Sequence, residues 1–143
     1  IHATHFRPED IRRAADEDIA VVLCPRSNWL LGVTDSAKKP PVRELLDAGC
    51  RVFLGTDNVM FVSPDMLSEC AFLMTAYKTT PEETLRMATG GFSLAGMTSG
   101  IEIGKPANLF VMEDAGLLSW SRSPLTTALT RLGRGAVTQV ISP

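Results

Sequence analysis

Two short motifs carry the side chains of this sequence that are best suited to chemistry. Residues 1–5 read IHATH, and an apolar run at residues 52–54 stops at residues 55–58, which read GTDN. The imidazole of His2 and the carboxylate of Asp57 can each bind a metal ion or transfer a proton. A carboxylate at the mouth of a buried strand is poorly solvated and needs a partner, so metal or proton chemistry is the first hypothesis.

The two histidines of the chain, His2 and His5, allow two arrangements. A spacing of three residues could place both rings on one helical face as a metal-binding pair. The flanking pattern favours the end of a strand instead. We therefore predict a functional role for His2 and a structural role for His5, whose ring would hydrogen-bond the backbone of the loop.

A third polar cluster, CPRSN at residues 24–28, follows another apolar run. No G-x-S-x-G elbow surrounds Ser27 and the proline indicates a turn, so we do not expect Ser27 to be a nucleophile. Ser27 and Asn28 are expected to fix this loop, while Arg26 and Asn28 are candidates for substrate contact. Trp29 could line a pocket or simply pack. The polar stretch that follows is too long for a simple linkage and predicts a functional loop.

Alternating helices and strands would position these motifs. Apolar runs at residues 19–24 and 51–54 predict strands buried on both faces, and helical spacing follows the prolines at positions 8, 41, 64 and 81. With a first strand ending at His2, the order β-α-β-α-β predicts a parallel α/β sheet, either open or closed into a barrel. Ligand sites of such sheets lie at the carboxyl ends of the strands, where all three motifs fall. Further on, residues 100–112 and 135–141 predict an exposed edge strand and a second strand of a smaller β element.

Composition and charge narrow the classes of function. The formal net charge is -2 and the basic residues are scattered, which argues against nucleic acid as the main partner. With 45% hydrophobic and 21% charged residues, no apolar stretch is long enough to cross a bilayer, so we expect no membrane span. The three cysteines, Cys24, Cys50 and Cys70, form no CxxC spacing and are expected to be reduced core residues of a cytoplasmic protein.

Taken in order, five motifs resemble the C-terminal part of the amidohydrolase superfamily, in its deaminase and chlorohydrolase branch. They are the HATH segment at 2–5, CPRSN at 24–28, LGTD at 54–57, PEETLRMAT at 81–89 and GIEIGKPAN at 100–108. Each motif alone is weak, but five in this order are specific, and they cover nearly the whole chain.

The resemblance implies a fold of strands six to eight of a (β/α)8 barrel over residues 1–98, followed over residues 99–143 by a segment of a small β-sandwich domain. The chain has 143 residues and opens without a methionine, whereas a complete barrel takes roughly 250 residues. We therefore expect a piece of a longer protein, with the missing N-terminal barrel portion as its partner.

For the site, the resemblance implies a metal held by a His-x-His pair on strand one, a histidine on strand five and an aspartate on strand eight. Only the aspartate has a counterpart here, Asp57. His2 corresponds to the strand-six histidine, which is a metal ligand in two-metal members and polarises the substrate in one-metal members. Zinc is the expected metal, with iron and manganese as alternatives. Asn58 stands where many members have glycine or serine and is a further candidate for substrate contact.

The implied reaction is hydrolysis of a carbon–nitrogen bond by metal-activated water, with deamination of a small amino-heterocycle as the favoured case. Asp57 would bind the metal and take a proton from the water, and His2 would polarise the carbon under attack. Because the other ligands are missing, the isolated chain is expected to be inactive.

Two other hypotheses stay open. A non-catalytic amidohydrolase-like module for interaction or oligomerisation would keep the fold without the chemistry and pair an exposed sheet edge with another subunit. An open flavodoxin-like domain fits the β-α-β order but leaves the end of the chain unexplained. Barrels of this type often form homo-oligomers, although nothing in the sequence marks an interface.

Overall fold

Helices and strands alternate in the computed structural model, which describes residues 1–36, 38–97 and 100–142. The main elements in chain order are α1 (Pro8–Asp16), β1 (Val21–Leu23), α2 (Pro25–Leu30), α3 (Val42–Asp47), β2 (Val52–Leu54), α4 (Met66–Tyr77), α5 (Pro81–Thr89), β3 (Leu109–Met112), α6 (Pro124–Arg131) and β4 (Val137–Ile141). Short 3-10 turns lie at Gly90–Ala95, Leu118–Trp120 and Arg134–Ala136. The strands form two separate pairs, β1 with β2 and β3 with β4.

The pair of β1 and β2 is parallel, as predicted, with Leu23 opposite Leu54. All three residues of β2 are buried, which explains why its sequence is apolar on both faces. The predicted first strand is not formed by Ile1 and His2. However, the backbone N–H of His2 donates to the carbonyl oxygen of Val22 at 2.8 Å, so residue 2 lies alongside β1.

The segment after β1 differs from the prediction. We predict a turn and loop from Arg26 onward, but residues Pro25–Leu30 form helix α2. Pro25 occupies the first helical position, where its missing N–H breaks no bond and its fixed φ suits the helix. The first backbone bond of the helix runs from the N–H of Asn28 to the carbonyl of Cys24 at 3.0 Å.

Capping residues set the starts of the two helices that follow β2. Helix α4 begins just after the predicted proline, because the side chain of Asp65 accepts a hydrogen bond from the N–H of Leu67 at 3.1 Å. Helix α5 begins with the predicted capping box. The Thr80 hydroxyl accepts from the N–H of Glu83 at 3.2 Å, and the Glu83 carboxylate accepts from the N–H of Thr80 at 2.8 Å.

One hydrophobic core joins the helices to the parallel strands, centred on the fully buried Leu23, Leu45 and Leu73. Helix α6, which is not predicted from the sequence, packs against α4 and α5 and buries Leu129 in this same core. The predicted domain boundary between residues 98 and 99 falls on residues outside the described ranges, so the division into 1–98 and 99–143 stays a prediction.

Helix α5 ends close to strand β2, and Gly90 makes this approach possible. A Cβ atom at position 90 would lie 2.7 Å from Cε1 of Phe53, which is closer than real Cβ contacts. Phe53 is itself buried in β2, so its ring has little room to move. Because glycine has no side chain, the end of α5 can pack directly against the strand.

Strands β3 and β4 form an antiparallel pair in which Phe110 lies opposite Val140. Both side chains are exposed, Phe110 to 52% and Val140 to 71%. The predicted smaller β element is confirmed, whereas its membership of a β-sandwich stays a prediction. Among the described residues, no helix combines the length and apolarity that crossing a membrane requires.

Candidate active site

The parallel pairing brings the predicted polar motifs to one edge of the sheet. Because Leu23 and Leu54 are partners in register, the segments that follow β1 and β2 leave the sheet side by side. The N–H of Gly55 donates to the carbonyl of Leu23 at 2.8 Å and so extends the ladder by one residue. A Cβ atom at Gly55 would lie 3.1 Å from Cγ1 of Val22, which favours glycine where the strands remain this close.

Asp57 and His2 face each other at this edge. The Nε2 atom of His2 lies 4.0 Å from Oδ2 of Asp57, which is too far for a hydrogen bond. The side chain of His2 is 40% exposed and that of Asp57 is 29% exposed, so solvent and small ligands can reach both. Both residues have left-handed backbone conformations, with φ of 72° at His2 and 61° at Asp57, so the chain turns sharply at both positions.

Ser27, predicted from the sequence only to fix its loop, completes this cluster. Its hydroxyl donates a hydrogen bond of 2.6 Å to Oδ2 of Asp57, and its side chain is fully buried. The helix-initiating Pro25 was the available signal, because a helix starting there would place its first turn at the edge of the sheet. We refer to His2, Ser27 and Asp57 as the edge cluster.

Arg26, predicted to contact substrate, is bound by a carboxylate that the sequence analysis did not single out. Its Nε donates to Oε1 of Glu69 at 2.8 Å, and its backbone N–H donates to Oε2 at 3.3 Å. Its Nη2 also donates to the carbonyl of Ser63 at 2.6 Å. Glu69 is fully buried, and burial raises its pKa, an effect that the hydrogen bonds from Arg26 oppose. The substrate-contact role of Arg26 stays a prediction.

The other three predicted contact residues have different environments. Asn28 is 2% exposed, and its Nδ2 finds no hydrogen-bond partner among the described residues. Trp29 is half-exposed and packs edge-on against Phe72, with ring centroids 5.7 Å apart. Asn58 is exposed and accepts a hydrogen bond from the N–H of Met60 at 2.8 Å, so it shapes its own loop. Asn28 is therefore covered, whereas Trp29 and Asn58 are accessible to solvent.

The cysteine nearest the edge cluster, Cys24, is buried and reduced. Burial is the main cause that raises the pKa of its thiol to about 11, and the negative charge of Asp57 adds to this effect. Cys50 and Cys70 are also free and buried, as the sequence predicts. Burial and the nearby negative charge of Asp57 therefore both favour the protonated form of the Cys24 thiol.

The edge cluster offers two of the donors that a metal ion would need. Within residues 1–36, 38–97 and 100–142, no group of three or more His, Cys, Asp or Glu side chains could hold a metal ion. His2 and Asp57 nevertheless suit part of such a site, since the Nδ1 atom of His2 is buried and has no hydrogen-bond partner in the part of the chain that the structure describes. The donor types, imidazole and carboxylate, are those that bind zinc in hydrolases.

Comparisons with known proteins agree with this arrangement. The sequence model of the Amidohydrolase family matches residues 1–142. A protein named putative aminohydrolase from Methanothermobacter thermautotrophicus is 40% identical over 119 residues, which make up 79% of this chain and 30% of that protein. An adenine deaminase from a Chelativorans species is 34% identical over 82 residues, or 57% of this chain and 25% of that protein.

A solved structure is also similar over almost the entire chain. An adenosine deaminase from Xanthomonas campestris with bound zinc matches with a TM-score of 0.87 and 28% identity, covering 99% of this chain and 34% of that one. The chain thus spans only 25% to 34% of the length of these three proteins. Its fold is consistent with part of a deaminase barrel, while the numbering of its strands within that barrel stays a prediction. The resemblance drawn from the five motifs is confirmed, and the chain belongs to the amidohydrolase family.

Proposed function

We propose that this chain is part of a metal-dependent hydrolase that deaminates a small amino-heterocycle. The observation that carries the proposal is the edge cluster, in which the Asp57 carboxylate faces the His2 imidazole at the carboxyl end of a parallel strand pair. Similarity to proteins named adenine deaminase and adenosine deaminase supports a purine-like substrate, in which the bond between a ring carbon and its exocyclic amino group would be broken.

Asp57 and His2 are the residues of this chain that would hold the metal. Zinc is favoured because the similar adenosine deaminase contains it. A catalytic zinc site normally has three or more protein ligands, so further ligands would come from an N-terminal barrel portion like the one in the longer relatives. When bound, the cation would supply a water molecule that ionises near neutral pH.

The side chains of the edge cluster would carry out proton transfer and charge stabilisation. The Oδ1 atom of Asp57 accepts no hydrogen bond from the described residues, so it is free to face a cation or to take a proton from water. His2 Nε2 does not bond directly to Asp57, so it is free to donate to or accept from a substrate atom. In this proposal Asp57 accepts the proton and His2 stabilises the charge that develops on the ring under attack.

The test is deamination by the protein expressed from its natural gene, loaded with zinc and supplied with adenine, adenosine or an aminopyrimidine. Ammonia release should be measured for the natural protein and for Asp57→Asn and His2→Gln. We expect each variant to lower kcat by about a hundredfold or more, because each removes a proton-transferring or charge-stabilising group.

Two matched controls are available in the same chain. Asp16→Asn changes an exposed aspartate in α1, and His5→Gln changes the exposed histidine three residues from His2. Both should keep the natural rate. Full activity in Asp57→Asn, or equal losses in the controls, would contradict the proposed role of the edge cluster.

A second experiment tests whether the site is divided. Residues 1–143 expressed alone should bind zinc weakly and release no ammonia from these substrates, because two donors are too few for a catalytic site. Zinc binding is measured by competition with a chelator. Robust, zinc-dependent turnover by the isolated chain would show that the site does not need a further barrel portion.

A further inference from the structure

Two neighbouring side chains of helix α2 donate hydrogen bonds to two different carboxylates. Arg26 reaches the fully buried Glu69 on α4, and Ser27 reaches Asp57 beyond β2. The two acidic groups therefore receive different partners. Glu69 receives a cation, whereas Asp57 receives a neutral hydroxyl.

This division keeps the charge of Asp57 available. A buried carboxylate such as Glu69 cannot be compensated by water and needs a charged or multiply hydrogen-bonded partner. The Arg26 side chain donates to Glu69 and to the carbonyls of Ser63 and Asp65, and the structure gives it no ion pair with Asp57 among the described residues. A hydroxyl can orient Asp57 without cancelling its charge, so the carboxylate can still attract a cation.

The bond from Ser27 also restricts the geometry of Asp57. The Oγ–Oδ2 distance of 2.6 Å is in the range of short bonds from a hydroxyl to a charged oxygen. Ser27 has one hydroxyl proton and is fully buried, so no solvent molecule competes for it. The bond distinguishes the two carboxylate oxygens, because Oδ2 is held while Oδ1 receives no hydrogen bond from the described residues.

The helix that carries Ser27 is itself held in place. The backbone N–H of Arg26, adjacent to Ser27, donates to Glu69, and the Arg26 side chain reaches the carbonyl of Ser63 in the segment that follows Asp57. Arg26 thus connects the helix that carries Ser27 both to the buried Glu69 and to the segment that follows Asp57. A rigid frame of this kind is what orients a ligand for a metal site.

We infer that Ser27 is a positioning residue, which holds the Asp57 carboxylate in the rotation that metal binding and proton transfer require. This inference rests on the proposed function of Asp57. It assigns Ser27 no contact with substrate and no nucleophilic role. It explains why a buried serine follows a helix-initiating proline at this edge of the sheet.

The test is Ser27→Ala in the protein expressed from its natural gene. We expect the zinc dissociation constant, measured by chelator competition, to rise about tenfold or more, as for other groups that orient metal ligands. We also expect kcat to fall about tenfold or more while KM changes little, because the substrate is not touched. With cobalt in place of zinc, the visible absorption spectrum should shift, since the Asp57 ligand would be free to rotate.

The matched control is Ser68→Ala. Ser68 also donates its hydroxyl to an aspartate, Asp65, at the start of α4 and outside the edge cluster. This variant should keep the natural zinc affinity, kcat and cobalt spectrum. Unchanged values of all three in Ser27→Ala would overturn the inference, as would equal changes in the two variants.

A further pair of variants separates the possible failures. If Ser27→Ala does not fold, Ser27→Cys fills nearly the same volume with a weaker donor, and it should lower kcat and zinc affinity to an intermediate degree. Natural values in Ser27→Cys would overturn the inference. Asp57→Asn tests the proposed function by itself. If Asp57→Asn is fully active the proposed function fails, whereas an inactive Asp57→Asn beside a fully active Ser27→Ala rejects only the role of Ser27.

Discussion

The two strand pairs of the molecule differ in how their side chains meet solvent. In the parallel pair of β1 and β2, Val52 is 6% exposed and all of β2 is covered. In the antiparallel pair of β3 and β4, the valine at position 140 is 71% exposed and the middle of each strand faces water. The buried pair carries the edge cluster at its carboxyl end, so covered strands provide the fixed positions from which these polar side chains project.

The largest expected effect on the free energy of unfolding comes from breaking the buried ion pair of Arg26 and Glu69. Glu69→Ala should lower the free energy of unfolding by about 3–5 kcal/mol, because it leaves Arg26 partly buried without its partner. Urea unfolding of the variant and the natural protein measures this loss. Glu102→Ala, which changes an exposed glutamate before β3, should alter stability by less than about 0.5 kcal/mol. Equal effects would show that the ion pair does not stabilise the buried region.

The same valine-to-alanine change in each strand pair compares how much their side chains contribute to stability. Val52→Ala removes two methyl groups from a buried strand and should cost about 2 kcal/mol of unfolding free energy. Val140→Ala removes the same groups from an exposed strand and should cost less than about 0.5 kcal/mol. The same urea titration measures both variants. A large loss in Val140→Ala would mean that β4 is covered in the natural protein, as a β-sandwich or an oligomer would require.

The smallest expected effect concerns pH. Two hydrogen bonds from Arg43, at 2.8 and 3.0 Å, are the main cause that lowers the pKa of Glu83 to about 2. A carboxylate with a depressed folded-state pKa stabilises the protein fully above its ordinary pKa of 4.5, and that stabilisation is lost as the pH falls toward 2. Glu83→Gln keeps the capping box but removes the charge, and should cost about 1 kcal/mol at pH 7.

The measurement for Glu83 is the stability difference between the natural protein and Glu83→Gln, followed from pH 7 to pH 2. We expect this difference to shrink below about pH 4.5 and to vanish near pH 2. Asp114, after β3, also has a lowered pKa, but the hydrogen bonds that lower it come from the backbone N–H groups of Leu118 and Gly116 and not from a cation. The stability difference between the natural protein and Asp114→Asn should therefore depend less on pH. A pH-independent difference for Glu83→Gln would contradict the assignment to charge.

Local patterns were sufficient to predict much of the buried region. Apolar runs that stop at Gly-Thr-Asp or at Cys-Pro can be recognised within a few residues, so both parallel strands and the position of Asp57 follow from sequence. The capping box at Thr80 is equally local. His2 could be assigned to the end of a strand from the residues that flank it, and its backbone bond to Val22 places it beside β1.

Contacts between distant elements account for what the sequence analysis missed. Glu69 lies in an apolar helix, and its burial against Arg26 depends on α2 crossing α4, 43 residues apart along the chain. The bond from Ser27 to Asp57 likewise joins residues 30 positions apart. Helix α6 has only eight residues, and a helix this short depends on tertiary packing, here of Leu129 into the shared core, for its stability.

The close approach of Gly90 to Phe53 has a consequence for how this protein can change over evolutionary time. Any side chain at position 90 would push the end of α5 away from β2, since its Cβ would meet a confined ring at 2.7 Å. Loop residues beyond Asp57, such as the exposed Met60, carry no comparable restriction. Substitutions should therefore accumulate at exposed loop positions such as Met60, whereas position 90 should accept few residues other than glycine.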